Sequence, residues 1–239
     1  MSERYVSVGR TMPGNVRRQN QDAILLRDDL GLWAVADGLG GHSAGEEASH
    51  LVVERLGALN RRGSVADFVE GIDAALSEVN TELRAMARLR GVDVIGSTVV
   101  VLVHDADLLL CGWVGDSRAY LFESGRLSQL THDHVAGNDP ADTTRYDPRA
   151  PAAGMLTRAV GADDELHVDW MVLGRRPGQY LLLCSDGINK ELDDEEIAAY
   201  FSEVADPQAL LTRLFDTALG RAGRDNVSAV VVRLDAAST

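Results

Sequence analysis

The apolar run Ala34-Val35-Ala36 leads directly into Asp37-Gly38-Leu39-Gly40-Gly41-His42, and apolar residues at helical spacing follow. The run indicates a buried strand, and the glycines predict a turn where backbone can approach a ligand closely. Three more aspartates stand beside apolar, strand-like runs: Asp22, Asp186 and Asp225. A sheet that fixes a carboxylate beside an open turn suits an ion, so all four are candidates for metal binding.

The side-chain chemistry indicates which metal these positions would hold. Carboxylate oxygens suit Mg²⁺ or Mn²⁺, whereas Zn²⁺ prefers His and Cys ligands. Several carboxylates can hold two such ions about 3.5–4 Å apart, where they activate a bridging water and bind a phosphoryl group. Arg17, which precedes Asp22 by five residues, adds a planar guanidinium that can chelate two phosphate oxygens.

Strands are predicted to supply most of the frame, because Val, Leu and aromatic residues cluster between turn-rich flanks. The predicted strands are residues 5–8, 23–26, 32–36, 98–104, 108–114, 119–122, 180–184 and 227–234. Apolar spacing predicts two long helices, over residues 45–59 and 65–89. Asp193 or Asp194 would cap a short helix ending at Phe201, and Asp206 with Pro207 would begin a last helix that reaches about residue 219.

The order of these elements predicts an α+β fold. Consecutive short strands joined by tight turns, such as Glu123-Ser124-Gly125, favour antiparallel sheets with helices packed outside over alternating strand–helix–strand units. Residues 136–154 show little periodicity. A stretch this long without regular structure is expected to be a functional flap or a mobile loop.

The composition is that of a globular protein and argues against several classes. The 239 residues are 45% apolar and 25% charged, which suits one large domain or two small ones. A net charge of −14 argues against binding nucleic acid or anionic membrane through bulk charge. No apolar run approaches the roughly 18 residues that span a bilayer, and no secretory signal is predicted. Cys111 and Cys184 form no CxxC, which favours buried, reduced thiols in a cytoplasmic protein.

Each motif also has an ordinary interpretation. A single Asp-Gly pair most often marks a turn, and Arg17-Arg18 is often a solvated pair. The glycines after Asp37 are similar to a dinucleotide-binding turn, but Ser43 stands where glycine or alanine is needed. His132-Asp133-His134 has no third ligand at suitable spacing, so a polar loop is favoured over a metal cluster. The absence of GxxxxGK[ST] excludes a P-loop.

The order and spacing of the motifs together resemble the metal-dependent protein phosphatase family (PPM, or protein phosphatase type 2C). The matching segments are residues 14–22, 37–42, 96–98, 114–118, 130–134, 156–161, 185–187 and 223–226. The resemblance implies one domain over residues 1–239, built as an α/β sandwich of two antiparallel sheets flanked by antiparallel helix pairs. It also implies a protein Ser/Thr phosphatase, in which a hydroxide bridging two Mn²⁺ or Mg²⁺ ions attacks phosphoserine or phosphothreonine in line.

The resemblance also implies a ligand set for the metals. Its members are Asp22, Asp37, Gly38, Asp116, Asp186 and Asp225. Asp37 would bridge both ions and Gly38 would offer its carbonyl, while Asp186 and Asp225 would bind the first ion. Asp22 would hold water on the other ion.

Two further roles follow from the same resemblance. Arg17 would bind the substrate phosphate, which makes Arg17 and Asp37 the expected catalytic residues. Asp116, together with Asp186, would hold a third and weaker metal ion, as in bacterial members of the family.

The sequence departs from the family pattern at three places. Gln21 stands where many eukaryotic members carry glutamate, and Leu39 stands where they carry a histidine proposed as general acid. The proton for the leaving oxygen would then come from metal-bound water. His42 is not equivalent to that histidine and is expected to be structural. The flap, residues 136–154, is shorter and more polar than is usual in bacterial members.

The implied partners are phosphorylated Ser/Thr proteins, namely a bacterial Ser/Thr kinase and its targets. The protein is expected to be a cytoplasmic monomer without nucleic-acid binding or membrane insertion. Residues 31–37 and 183–197 look like the phosphatases that accompany type VI secretion clusters, with a general kinase partner as the alternative. A non-catalytic regulatory module of the same fold is the main rival, and the complete aspartate set argues against it. An anti-sigma-factor-antagonist phosphatase is a second rival, and Arg17 argues against that one.

Overall fold

The computed structural model describes residues 5–40, 43–137 and 154–235. In chain order, its strands are β1 (Tyr5–Met12), β2 (Asp22–Arg27), β3 (Leu32–Leu39), β4 (Gly96–Ser97), β5 (Val99–Asp105), β6 (Leu108–Val114), β7 (Arg118–Glu123), β8 (Arg126–Gln129), β9 (Asp169–Gly174), β10 (Tyr180–Cys184) and β11 (Val227–Leu234). The helices are α1 (Ser43–Gly57), α2 (Val65–Arg90), α3 (Asp186–Asn189), α4 (Asp194–Glu203) and α5 (Pro207–Gly220).

The strands form two antiparallel sheets. One sheet has the order β1-β11-β10-β7-β8, and the other has the order β2-β3-β5-β6-β9, with β4 paired to β3. Every strand pair in the described residues is antiparallel. The predicted architecture of antiparallel sheets with outer helices is therefore confirmed.

Three apolar layers hold the sandwich together, and β3 contributes side chains to two of them. Trp33 and Val35 face the layer between the sheets, where they join Leu183 and Val232. The alternate residues of β3, such as Ala34, pack under α1 and α2. Because both faces of β3 are buried, its sequence is a continuous apolar run and does not alternate with polar residues. The third layer lies between the other sheet and the pair α4 and α5.

The helix ends follow local capping rules. Ser64 and Asp67 form a capping box at the start of α2, and Gly91 ends that helix with a φ of 64°. Asp193 caps α4 with the same reciprocal arrangement, through Glu196. Asp206 caps α5 directly before Pro207. All of these boundaries lie within two residues of the predicted ones.

Several elements differ from the sequence prediction, among them β1, which runs to Met12 instead of residue 8, and β4, which was not predicted. Strand β3 does not end at residue 36 but continues to Leu39, because its last residues pair with β4. The prediction that Asp37 stands at a strand end was therefore wrong. Strands β8 and β9 were missed, since β8 is short and polar and both lie at sheet edges. Helix α3, with four residues, is too short to show a helical period.

Most of the flap, residues 138–153, lies outside the described residues, as does His42. Cys111 and Cys184 are buried and unpaired, as expected. Among the described residues, none of the helices combines the length and the apolar character needed to cross a membrane.

Candidate metal centre

The candidate aspartates come from both sheets of the sandwich and lie close to one another. Asp22 and Asp37 are direct cross-strand partners on β2 and β3. In the other sheet, Ser185 alone separates β10 from Asp186, which begins α3, and Asn226 alone separates Asp225 from β11. The sequence alone predicted strand-associated positions for all four, and the topology brings them together.

The acidity of these groups shows how strongly they interact. Burial, followed by the charges of Asp22, Asp186, Asp116 and Asp225, raises the pKa of Asp37 well above its ordinary value. Burial and neighbouring carboxylates also raise the pKa of Asp22 and of Asp116, each to about 6. Five carboxylates are thus close enough to resist ionising together, which is the arrangement that a divalent cation relieves.

Two carboxylate oxygens fit a metal directly. Asp22 is 2% exposed and Asp186 is 8% exposed. The Oδ1 atoms of both side chains are buried and have no hydrogen-bond partner. The other oxygen of Asp22 accepts a hydrogen bond from Ser185 Oγ at 2.7 Å. A buried carboxylate oxygen without a partner is costly, and a bound cation supplies the missing partner.

Basic side chains pair with two of the predicted ligands. The Arg17 guanidinium donates from Nε and Nη2 to the two oxygens of Asp225, at 3.1 and 3.2 Å. The Lys190 ammonium donates to Asp186 Oδ2. Within residues 5–40, 43–137 and 154–235, no three His, Cys, Asp or Glu side chains are grouped to hold an ion as they stand.

Close backbone packing explains the two Asp-Gly pairs. A Cβ on Gly38 would lie 1.9 Å from the carbonyl oxygen of Gly45 in α1. A Cβ on Gly187 would lie equally close, 1.9 Å, to the carbonyl oxygen of Asn226. Glycine is required at both positions for steric reasons alone. Metal coordination by the Gly38 carbonyl stays a prediction.

Asn226 fixes the loop that carries Arg17. Its Nδ2 donates to the carbonyl oxygens of Pro13 and Gln19, at 3.0 and 2.9 Å. Its Oδ1 accepts from the backbone N–H of Gln21 at 2.8 Å. One buried amide thus holds both ends of this loop against β11. The sequence analysis quoted Asn226 only as part of a motif and missed this role.

The hydroxyl groups of Thr98 and Ser117 position Asp37, a role that the sequence analysis also missed. The Asp37 N–H donates to Thr98 Oγ1 at 3.1 Å, and the Thr98 N–H donates to the Asp37 carbonyl at 2.8 Å. Thr98 Oγ1 also shares a hydrogen bond of 2.7 Å with Ser117 Oγ. The segments 96–98 and 114–118 were noted as motifs, and their spacing gave no sign of this contact.

The residues His132-Asp133-His134 support the turn that carries Asp116. Asp133 accepts a bidentate ion pair from Arg118. His134 Nδ1 accepts from the Gly115 N–H at 3.0 Å, so the proton lies on Nε2, which faces Asp169 Oδ2 at 3.1 Å. His134 therefore holds the Gly115–Asp116 turn through its ring nitrogen and through its backbone N–H, which donates to the Gly115 carbonyl at 3.0 Å.

Comparisons with known proteins agree with this geometry. The sequence model of the Protein phosphatase 2C family matches residues 15–219. PstP, a serine/threonine protein phosphatase of Mycobacterium tuberculosis, is 33% identical over 225 residues. That alignment covers 91% of this chain and 43% of the length of PstP.

Two solved structures have the same arrangement of sheets and helices. PppA, described as a key regulatory component of T6SS in Pseudomonas aeruginosa, has a TM-score of 0.89 and 38% identity, over 96% of this chain and 97% of that chain. The catalytic domain of PstP in complex with 2 manganese ions has a TM-score of 0.84 and 31% identity, over 97% of this chain and 99% of that chain. The chain belongs to the protein phosphatase 2C family.

Proposed function

We propose that this chain is a metal-dependent protein serine/threonine phosphatase. The observation that carries the proposal is the meeting of five mutually repelling aspartates, two of which have buried oxygens without partners. Family membership and the manganese-bound PstP neighbour support the same function.

The aspartates are the proposed ligands of Mn²⁺ or Mg²⁺. When bound, two such ions supply the positive charge that activates water and polarises a phosphoryl group. Asp37 lies opposite Asp22 in the ladder, so the two carboxylates could serve the same pair of ions. Ser185 keeps Asp22 oriented through its hydrogen bond. Asp116 is the proposed ligand of a third and weaker ion.

Arg17 is the proposed phosphate-binding group. Its guanidinium already makes a two-pronged contact with a carboxylate, and a phosphate offers the same spacing of oxygens. Arg17 is 54% exposed, so it can turn toward a ligand without losing a buried position. If Asp225 held a metal ion, the Arg17 fork that now contacts it would be free to bind phosphate.

A groove beside Asp22 is the proposed path for the substrate peptide. It has a volume of about 550 Å³. Its polar lining comes from Thr11, Arg18, Gln19, Asn20, Glu46 and His50. The mixture of charged and amide groups suits a polypeptide, because these groups can bind backbone and polar side chains alike.

The proposal is tested by hydrolysis of a phosphothreonine peptide with Mn²⁺, Mg²⁺ or EDTA. We expect activity that depends on metal and falls by at least about a hundredfold in Asp37→Asn, a loss typical of a group that organises the reacting centre. Asp216→Asn is the matched control, because Asp216 is exposed on α5. Absence of activity with every ion, in a folded sample, would favour a non-catalytic regulatory module.

We also propose that the physiological substrate is a bacterial Ser/Thr kinase or its targets, in connection with type VI secretion. The likeness to PppA at 38% identity supports this role. Deleting the gene and comparing phosphopeptides with those of the parent strain tests it. We expect phosphorylated Ser and Thr to accumulate on secretion-system proteins in the deletion strain. Accumulation of phosphorylation only on other proteins would favour a general kinase partner.

A further inference from the structure

Lys190 is the only lysine in the chain, which otherwise uses 22 arginines for its positive charge. It directly follows α3, and its ammonium reaches back one turn to Asp186 Oδ2. Asp186 is the aspartate that begins the same helix. The single lysine therefore lies at the candidate metal centre, in contact with a proposed ligand.

The surroundings of this ammonium are strongly acidic. Burial lowers the pKa of this ammonium, but its hydrogen bond with Asp186 and the charges of Asp186, Asp116 and Asp225 raise the pKa by more. The ammonium is therefore a positive charge beside the carboxylate cluster, in direct contact with Asp186.

We propose that Lys190 is a built-in cation of the centre, which neutralises Asp186 in the metal-free protein and competes with divalent ions for that carboxylate. The inference rests on the proposed metal-binding function. It assigns to Lys190 the role of a positioning residue that sets metal affinity. Contact with the substrate is not part of that role.

The chemistry of lysine suits a group that binds the Asp186 carboxylate and also releases it to a metal ion. The ammonium is a compact charge on a flexible stem, whereas an arginine fork would hold the carboxylate through two parallel bonds. Lys190 is 59% exposed while Asp186 is only 12% exposed at its side chain. The lysine can therefore swing into solvent when an ion takes its place, and Asp186 stays where it is.

The exposure of Lys190 also limits the size of the effect. An ion pair with one partner largely in water contributes little. We therefore expect removal of the charge to raise Mn²⁺ affinity by about three- to fivefold, which corresponds to such a weak pair.

The test measures Mn²⁺ binding to the full chain by the electron paramagnetic resonance signal of free Mn²⁺. Lys190→Gln should bind Mn²⁺ more tightly than wild type and should melt at a lower temperature in EDTA, because Asp186 loses its partner. Lys190→Arg should keep the wild-type affinity or weaken it. Arg213→Gln is the matched control, because it removes one positive charge from an ion pair on α5, the pair of Arg213 with Glu203.

The outcomes separate this inference from the proposed function. Equal or weaker Mn²⁺ binding by Lys190→Gln, or an equal gain in Arg213→Gln, would overturn the role of Lys190 alone. Failure of the wild-type protein to bind Mn²⁺ would overturn the metal centre, and the inference would fall with it.

Discussion

The aspartates of this centre are individually unfavourable and are stabilised only by what surrounds them. Asp22 takes one hydrogen bond from Ser185 and leaves its other oxygen without a partner. Asp186 and Asp225 rely on Lys190 and Arg17. Such groups cost stability in the metal-free protein, which is the usual trade between folding and function at a binding site.

Raised carboxylate pKa values predict how the metal-free protein responds to pH. Asp22 and Asp116 titrate near pH 3.8 when unfolded and near 6 when folded. The folded state therefore holds protons that the unfolded state has released, and stability falls as pH rises from about 4 through 6. Asp116→Asn should remove part of this loss, and its melting temperature in EDTA should rise by about 2–4 °C at pH 7.5.

Thermal unfolding in EDTA at pH 5 and pH 7.5 checks this prediction. His134 has a lowered pKa and acts in the opposite direction. His134 is present in both the wild type and Asp116→Asn, so the difference between their melting temperatures reports on Asp116 alone. A variant that is less stable than wild type at pH 7.5 would contradict the account, and Asp216→Asn is the control for loss of a surface carboxylate.

At the scale of elements, the site depends on how closely its turns pack. Gly38, next to Asp37 in β3, lets α1 approach closely, and Gly187 lets α3 lie close to the start of β11. These contacts, together with the amide of Asn226, help to fix the positions of the aspartates.

Two glycine substitutions should therefore have opposite effects. Gly187→Ala places a methyl group 1.9 Å from a backbone oxygen and should destabilise the protein by about 3 kcal/mol or more. Gly71→Ala lies inside α2 with nothing within 4 Å of the new methyl group, and it should stabilise by about 0.5–1 kcal/mol. Urea unfolding of both variants provides the measurement, and a neutral Gly187→Ala would show that α3 can shift.

At the scale of the whole molecule, much of the fold could be predicted from the sequence. Long helices such as α2 have a clear period and explicit caps, and buried strands such as β11 are continuous apolar runs. Strands β8 and β9 are edge strands, whose short or mixed sequences carry weaker signals. Their positions depend on partners that are distant in the chain.

The sequence-predicted aspartates lie close together in the structure, but their contacts could not be predicted. Strand-like runs beside them indicated Asp22, Asp37, Asp186 and Asp225, whereas Arg17 was indicated by its guanidinium chemistry and by the family resemblance. The pairing of Lys190 with Asp186 and the support of Asp37 by Thr98 arise from side-chain packing across elements. Such packing leaves no period or motif in the sequence.

The central claim is that the aspartates at the meeting of the two sheets hold divalent metal. Crystals grown with Mn²⁺ and measured at the manganese absorption edge test it most directly. The account predicts anomalous peaks within coordination distance of Asp37, with Asp22, Asp186 and Asp225 around them, and no such peaks in Asp37→Asn crystals. Manganese found only elsewhere on the molecule, or unchanged peaks in the variant, would contradict it.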